Sequence, residues 1–206
     1  MNRFFEPKIR VLLLLAAIPL TFYYCSGPAP TQPATPAVAA VAEESPAARG
    51  AKLVHLGGCT DCHSPKMMTP AGPIPDSTKL YSGHPEGSKL PAITYDATKP
   101  GNWILMTADL TAAYGPWGIT YAINLTPDST TGIGSWTAET FIKAMRTGKH
   151  LGQDGGRPIL PPMPWPTLAK LSDAELSAMF AYFKSLPPVK NQVPAPVPPT
   201  EVAKMK

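Results

Sequence analysis

The sequence predicts one mainly helical domain with long loops and a small β-hairpin, set between two proline-rich ends. Three segments carry both a helix start signal and a helix stop signal. Between the first two, turn residues dominate, and β-type residues flank the stretch 115–118, which favours a hairpin. The chain has 206 residues, 44% of them apolar. That is enough for one ordinary domain with a buried core but not for two large ones.

The first two helices are predicted from their caps. Ser45 is a favoured N-cap residue, and Pro46 suits the first helical turn. The glycines at 57–58 end this helix, because glycine readily adopts the backbone conformation that follows a helix. A second helix is predicted over 137–147, beginning at a capping threonine and closing at Gly148.

The last helix has the clearest start signal. Residues 172–175 read Ser-Asp-Ala-Glu, which is a capping box. The positions that follow repeat apolar residues at helical spacing, and Pro187 stops the helix. These three helices are expected to form the core of a domain over 45–189.

The segment 1–24 is predicted to act in export rather than in the fold. Arg3, Lys8 and Arg10 precede an uncharged apolar stretch. The stretch is short for a membrane span, which needs about 20 apolar residues. A signal peptide and an N-terminal membrane anchor therefore both fit. Lipidation of Cys25 is a third alternative, although aromatic residues precede this cysteine where lipoprotein signals place small ones.

The two flanking regions differ in composition from the domain. Residues 25–44 are mostly Pro, Ala, Thr and Val, and predict a tether with few large side chains to bury. Residues 190–206 are again rich in proline and predict a disordered or polyproline-like tail. The alternative for this tail is an arm packed along the domain.

Charge and cysteine content exclude two classes of protein. The net charge is only +4, and no basic block or stripe indicates binding to nucleic acid. Three cysteines are present, of which two are close together and one, Cys25, lies near the apolar N-terminal segment. This distribution is not that of a disulfide framework.

The two close cysteines form the pattern Cys-x-x-Cys-His at Cys59, Cys62 and His63, which is typical of covalent haem attachment. Thiols one helical turn apart can reach the two vinyl groups on one edge of a porphyrin. The adjacent imidazole is then carried beneath the ring, where it can bind the iron. The single motif predicts one covalent haem c per chain.

Zinc and a redox dithiol are the alternatives to haem. A structural zinc site needs four ligands, and the sequence holds no second pair of cysteines to supply them. A thioredoxin-like dithiol would follow a strand, whereas this motif follows a predicted helix and two glycines. Both alternatives are therefore disfavoured.

Met163 is the predicted sixth ligand of the iron, opposite His63. Methionine sulfur is the usual partner of histidine in electron-transfer cytochromes. Prolines on both sides of Met163 stiffen a non-helical loop that could hold the thioether in place. Other methionines are assigned to the core, to a hairpin or to positions next to the motif. The remaining rivals are His55, His84 and His150.

Trp136 and Trp165 are predicted to lie at the edge of the haem. An indole N–H can donate to a propionate while its ring covers the porphyrin. Ordinary core packing explains either residue equally well. Asn124, Thr126 and Asp128 could cap turns around the haem crevice, and turn chemistry alone would equally explain them.

Six stretches of the chain together carry a resemblance to a known family: 49–54, 58–63, 124–128, 131–137, 161–164 and 181–187. They resemble class I (mitochondrial-type) c-type cytochromes, especially single-haem bacterial versions similar to the cytochrome subunits of periplasmic dehydrogenases. The resemblance implies a helical fold in which the first and last helices cross, with the haem held edge-out between them.

The expected function is one-electron transfer by a carrier tethered to the periplasmic side of a bacterial membrane, within a respiratory chain. The expected partners are redox proteins, either a dehydrogenase or an oxidase. An alternative of a different class is a haem enzyme or gas sensor with an open sixth site. A third alternative is a cytochrome subunit that passes electrons only while docked to one dehydrogenase or oxidase.

Overall fold

The computed structural model describes Gly27 and residues 43–205. The predicted export segment 1–24, Cys25 and nearly all of the predicted tether lie outside these residues. Within the described part of the chain, no helix is both long and apolar enough to cross a membrane. The residues from 43 onward contain the haem motif and the helices around it.

Helices and short strands alternate along the described chain. The helices are α1 (Pro46–Leu56), α2 (Cys59–His63), α3 (Ala138–Thr147), α4 (Trp165–Leu168), α5 (Asp173–Ser185) and α6 (Pro199–Val202). The strands are β1 (Lys66–Thr69), β2 (Gly72–Pro75), β3 (Leu105–Met106), β4 (Ala112–Gly115) and β5 (Gly118–Tyr121). A 3₁₀ turn spans His150–Gly152.

The three helices predicted from their caps are present. The Ser45 side chain accepts a hydrogen bond from the backbone of Ala48, and the Thr137 side chain accepts one from Thr140. The capping box at the start of α5 is complete, with Ser172 and Glu175 each bonding to the backbone of the other. Local capping therefore sets where each of these helices begins.

Helices α1 and α5 cross in close contact. A Cβ atom at Gly50 would come within 1.9 Å of the Ala178 carbonyl oxygen, so only glycine allows this approach. Val54 from α1 and Phe183 from α5 are fully buried at the crossing, within a core that α3 completes with Phe141 and Met145. The crossing forms one side of the space that the haem motif faces.

The strands form two small antiparallel sheets. Strands β1 and β2 pair as a hairpin, and β3, β4 and β5 form a second sheet in that order. Strands β4 and β5 are joined across Gly115–Gly118, where the sequence indicated a hairpin. The described chain is thus a mixture of helices and short strands, and the mainly helical class I fold remains a prediction.

The proline-rich tail packs along the domain, which corrects its interpretation as a disordered or polyproline-like extension. Val197 exchanges backbone hydrogen bonds with Ile119 of β5, and Val202 of α6 is fully buried beside Tyr114. The side chain of Asn191 is buried as well. The tail holds too few large residues to form a core of its own. Instead, its Val197 and Val202 pack against Tyr114 and Ile119 and cover the apolar cluster on the second sheet.

Candidate functional site

A large, mainly apolar cavity lies between the helices and the second sheet. Its volume is about 1220 Å³, counting the open space at its mouth. Five of the six predicted site residues line it: Cys59, Cys62, His63, Trp136 and Met163. The cavity therefore joins two sequence regions about a hundred residues apart.

The haem motif forms one wall of this cavity because the chain turns sharply after α1. Gly58, with φ of +63°, is the N-cap of α2 and takes up a left-handed conformation that favours glycine. Helix α2 then carries Cys59 and Cys62 one turn apart on the cavity side, and both are free cysteines. This placement meets the requirement for bonding two sites on one edge of a flat ring.

Burial affects the reactivity of both thiols. It raises the pKa of Cys59 to about 11, and it also raises the pKa of Cys62. Both side chains are therefore thiols rather than thiolates at neutral pH.

His63 is held in one orientation and one tautomer. Its Nδ1–H donates to the carbonyl of Ile123 over 2.8 Å, since a carbonyl oxygen can only accept. The other ring nitrogen, Nε2, therefore keeps a free lone pair. The side chain is only 7% exposed, and burial lowers its pKa, which favours the neutral ring. A neutral imidazole oriented by a backbone carbonyl is the form that binds a metal ion.

The residues that follow Ile123 form hydrogen-bonded turns. The Asn124 side chain accepts hydrogen bonds from both the backbone and the hydroxyl of Thr126, at 2.9 and 2.7 Å. Asp128 in turn accepts from the backbone and hydroxyl of Thr131, both at 2.7 Å. Asn124 and Asp128 thus stabilise turns, as the sequence suggested, but neither they nor Thr126 line the cavity itself.

Met163 lines the cavity from a loop rich in proline, and its side chain is half-buried. Three other methionines, Met106, Met145 and Met179, line the cavity too. Met145 and Met179 are buried in the helical core, as expected. Met106 was assigned to a hairpin by its sequence position, but it extends from β3 to the cavity and is 40% exposed.

Among the rival histidines, only His150 lines the cavity. His55 is exposed beside Tyr182. His84 is buried behind the cavity wall, where its Nδ1 lies 2.7 Å from the hydroxyl of Thr111. The structure thus leaves His150 and Met106 as the alternatives to Met163.

The two tryptophans are placed differently. Trp136 lines the cavity and meets the ring of His150 edge to face, with 5.5 Å between ring centroids. Trp165 does not line the cavity. Its indole lies against Gly148, where a Cβ atom would come within 2.4 Å of the ring. Trp165 therefore packs against the end of α3, and nothing in this contact supports a place at the haem edge.

Two basic residues at the site were not anticipated from the sequence. Arg157 lines the cavity, and its carbonyl accepts the backbone N–H of His150 over 2.9 Å. Lys66 binds the end of α2. Its position three residues after His63 could have indicated this contact, since basic residues are often found near the C-terminal end of a helix, where they bind its free carbonyls. Arg157 is distinguished by no such local pattern.

Taken together, the residues fit haem c. Two thiols lie one turn apart, an adjacent imidazole has a free Nε2, and a thioether lines the same mainly apolar space. Imidazole and thioether are the ligand pair of electron-transfer cytochromes c. The described chain thus has residues of the kinds that this group needs for attachment, ligation and enclosure.

Comparison with known proteins agrees with this fit. No known family model matches the chain. The chain is 32% identical over 135 residues to the gluconate 2-dehydrogenase cytochrome c subunit of Pantoea cypripedii, a match that covers 66% of this chain. It is 44% identical over 82 residues, 39% of the chain, to the cytochrome c subunit of the alcohol dehydrogenase (quinone) of Gluconobacter oxydans. It is also 37% identical over 91 residues, 41% of the chain, to the fructose dehydrogenase cytochrome subunit of Gluconobacter japonicus.

The matches cover only a small part of each relative. The chain spans 22%, 16% and 18% of the lengths of these three proteins, in the order given. All three are named as cytochrome subunits of dehydrogenases. The chain is therefore similar to bacterial cytochromes c, and its class and its number of haems remain predictions.

Proposed function

We propose that this chain is a one-electron carrier, a cytochrome c with one haem attached to Cys59 and Cys62. His63 and Met163 are proposed as the axial ligands. The observation that carries the proposal is the shared cavity, which brings a haem attachment motif and a proline-flanked methionine to the same space. The hydrogen bond from His63 to Ile123 adds support, since it leaves Nε2 free for iron.

When bound, haem c supplies the redox change, in which iron alternates between the ferric and ferrous states. The chain's own residues would bind the haem, orient its histidine ligand and enclose the haem in an apolar cavity. The Ile123 carbonyl keeps the His63 ring in one orientation, so this ligand need not move when the charge on the iron changes. Apolar residues such as Phe141, Met179 and Phe183 limit the access of water. No side chain is required to transfer a proton or form a bond in turnover.

The proposed partner is a dehydrogenase that passes electrons to this carrier, or an oxidase that accepts them. The relatives support the first, because they are named as cytochrome subunits of dehydrogenases. We place the carrier on the periplasmic side of the membrane, where cytochromes c acquire their haem. Attachment to the membrane is assigned to the segment 1–24 or to a lipid on Cys25, on the basis of sequence alone.

Covalent attachment can be tested with the three cysteines. The purified full chain should give a pyridine haemochrome of c type with one haem per chain, and acid acetone should not extract the haem. Replacement of both Cys59 and Cys62 by alanine should leave little haem-containing protein. Cys25→Ala is the matched control and should keep a full haem content. Extractable haem in the wild type, or normal haem in the double variant, would overturn the assignment.

A further inference from the structure

Lys66 makes an unusual set of contacts at the end of the haem motif. Its ammonium nitrogen lies 2.6 Å from the carbonyl oxygen of Asp61, 2.9 Å from that of Ser64 and 3.2 Å from that of Asp109. It also lies 3.5 Å from the Thr60 carbonyl oxygen, at the limit of hydrogen-bonding distance. One side chain thus binds backbone carbonyls of α2, of the residue that follows α2 and of a distant loop.

Two of these carbonyls belong to α2, whose last carbonyls lack partners within the helix. The helix has only five residues, so few of its carbonyls are used internally. The His63 carbonyl accepts instead from the backbone of Gly83, over 2.8 Å. Lys66 binds the Asp61 carbonyl in addition, so two external contacts hold the end of the helix that carries His63, a proposed ligand of the iron.

The contact with Asp109 connects this helix end to another part of the cavity wall. Asp109 precedes Leu110 and Thr111, which both line the cavity. Its carboxylate accepts from the hydroxyl of Thr111 over 2.9 Å, which shapes the turn. Lys66 therefore joins the motif to a second wall segment that lies more than forty residues further along the chain.

The Lys66 ammonium group is held by backbone carbonyl oxygens rather than by a carboxylate. Among residues 43–205, no acidic side chain lies within ion-pair distance of its nitrogen. Lys66 is also only partly exposed, so water screens the charge less than at an open surface. A fixed positive charge beside a redox centre disfavours the oxidised state, which carries one more positive charge than the reduced state.

We propose that Lys66 is a positioning residue of the haem site: its ammonium group ties the end of α2 to the 109–111 wall segment and keeps a positive charge that favours ferrous iron. This proposal rests on the proposed function. It makes two separable claims, one about the position of the motif and one about the charge. The reduction potential tests the claim about charge. If Lys66 had only a structural role, the potential would not depend on whether the substituted side chain is charged.

The test compares Lys66→Met and Lys66→Arg in the full-length haem protein. Lys66→Met keeps an unbranched side chain but removes the charge and the donors, so we expect a lower reduction potential and a lower melting temperature. Lys66→Arg keeps the charge, so its potential should stay near that of the wild type. Lys170→Met is the control, because Lys170 is exposed and its side chain makes no hydrogen bond or ion pair among the described residues. It should leave the potential unchanged.

Each outcome decides one claim. An unchanged potential in Lys66→Met, or an equal fall in Lys66→Met and Lys66→Arg, would overturn the claim about charge. An unchanged melting temperature in Lys66→Met would overturn the claim about position. If Lys66→Met gives too little haem protein for titration while Lys66→Arg gives a normal yield, the positioning claim is supported by haem content alone. The absence of covalent haem in the wild type would instead refute the proposed function.

Discussion

The two proposed axial ligands are held in place to different degrees. His63 is almost fully buried, and its ring is fixed by a hydrogen bond to the Ile123 carbonyl. Met163 is only half-buried and lies in a loop, with its backbone N–H donating to Leu160 over 3.3 Å. We therefore expect the bond on the Met163 side of the iron to be the weaker of the two.

Replacing Met163 tests this assignment directly. The oxidised wild type should show the weak long-wavelength absorption of a sulfur–iron bond. In Met163→Ala this band should vanish, the reduced protein should bind carbon monoxide, and the potential should fall, because a ligand that favours ferrous iron is lost. Spectroscopy before and after addition of carbon monoxide measures the first two effects, and a redox titration measures the third.

Two controls separate ligation from packing. Met145→Leu and Met179→Leu are nearly volume-conserving changes in the core, so both should keep the band and cost less than about 1.5 kcal/mol of stability. If Met163→Ala keeps the spectrum and the potential of the wild type, Met163 is not the ligand. Met106 and His150 would then be tested, since both line the cavity.

At the scale of elements, α5 depends on its capping box. Glu175 binds the backbone and hydroxyl of Ser172, each over 2.8 Å. These hydrogen bonds, with a smaller effect of Arg49, lower the pKa of Glu175 in the folded chain. A lowered pKa means that the carboxylate stabilises the fold above its unfolded pKa, and that this contribution is lost as pH falls through the lower, folded value.

We predict a pH-dependent effect of Glu175→Gln on the melting temperature. The variant should melt at a lower temperature than the wild type at pH 7, because it lacks the charged cap. The difference should shrink as the pH falls below the ordinary range for glutamate, where the wild type loses its carboxylate. Glu139→Gln is the control, because Glu139 lies in the first turn of α3 but forms no side-chain hydrogen bond among the described residues. A gap between Glu175→Gln and wild type that does not change with pH would contradict the prediction.

Elements with local signals could be predicted from the sequence, and the others could not. The starts of α1, α3 and α5 depend on capping residues within a few positions, so the sequence shows them. The hairpin of β1 and β2 was missed because the prolines and glycine of β2 are unusual in strands. Strand β3 has two residues and exists only through its pairing with β4.

The same distinction applies to the site. Cys59, Cys62 and His63 form a local motif, which the sequence shows in full. The Ile123 carbonyl lies 60 positions from His63, and no pattern in the sequence links them. The structure also shows that Trp136 lines the cavity and Trp165 does not, a distinction that no local pattern in the sequence gives.

At the scale of the whole molecule, Asn191 joins the tail to the rest of the domain. Its side-chain nitrogen donates to the carbonyls of Ser82 and His84, over 2.7 and 2.8 Å. Its side-chain oxygen accepts the backbone N–H of Glu86 over 2.8 Å. These contacts span more than a hundred positions and lie beside the Gly83 N–H that binds the His63 carbonyl.

Asn191→Ala should therefore destabilise the whole domain. Three backbone groups would lose their partner, and buried polar groups without a partner are costly, so we expect a loss of about 2 kcal/mol or more in the free energy of unfolding. Denaturant titration followed by far-UV circular dichroism would measure it. Gln192→Ala is the control at the exposed neighbouring position and should change stability by less than about 0.5 kcal/mol. Equal stabilities of the two variants would show that the tail is not held by Asn191.

The packed tail also has a consequence for the order in which the molecule is completed. A chain is synthesised from its N-terminus, so the crossing of α1 and α5 can form once residue 185 has emerged. The apolar cluster around Tyr114 and Ile119 must wait for Val202, which is fully buried against it. A chain cut by a protease soon after α5 would lose both Asn191 and Val202, so its domain would be less stable and one face of the sheet would be left in water. Such a fragment would be prone to aggregate even though its haem motif was intact.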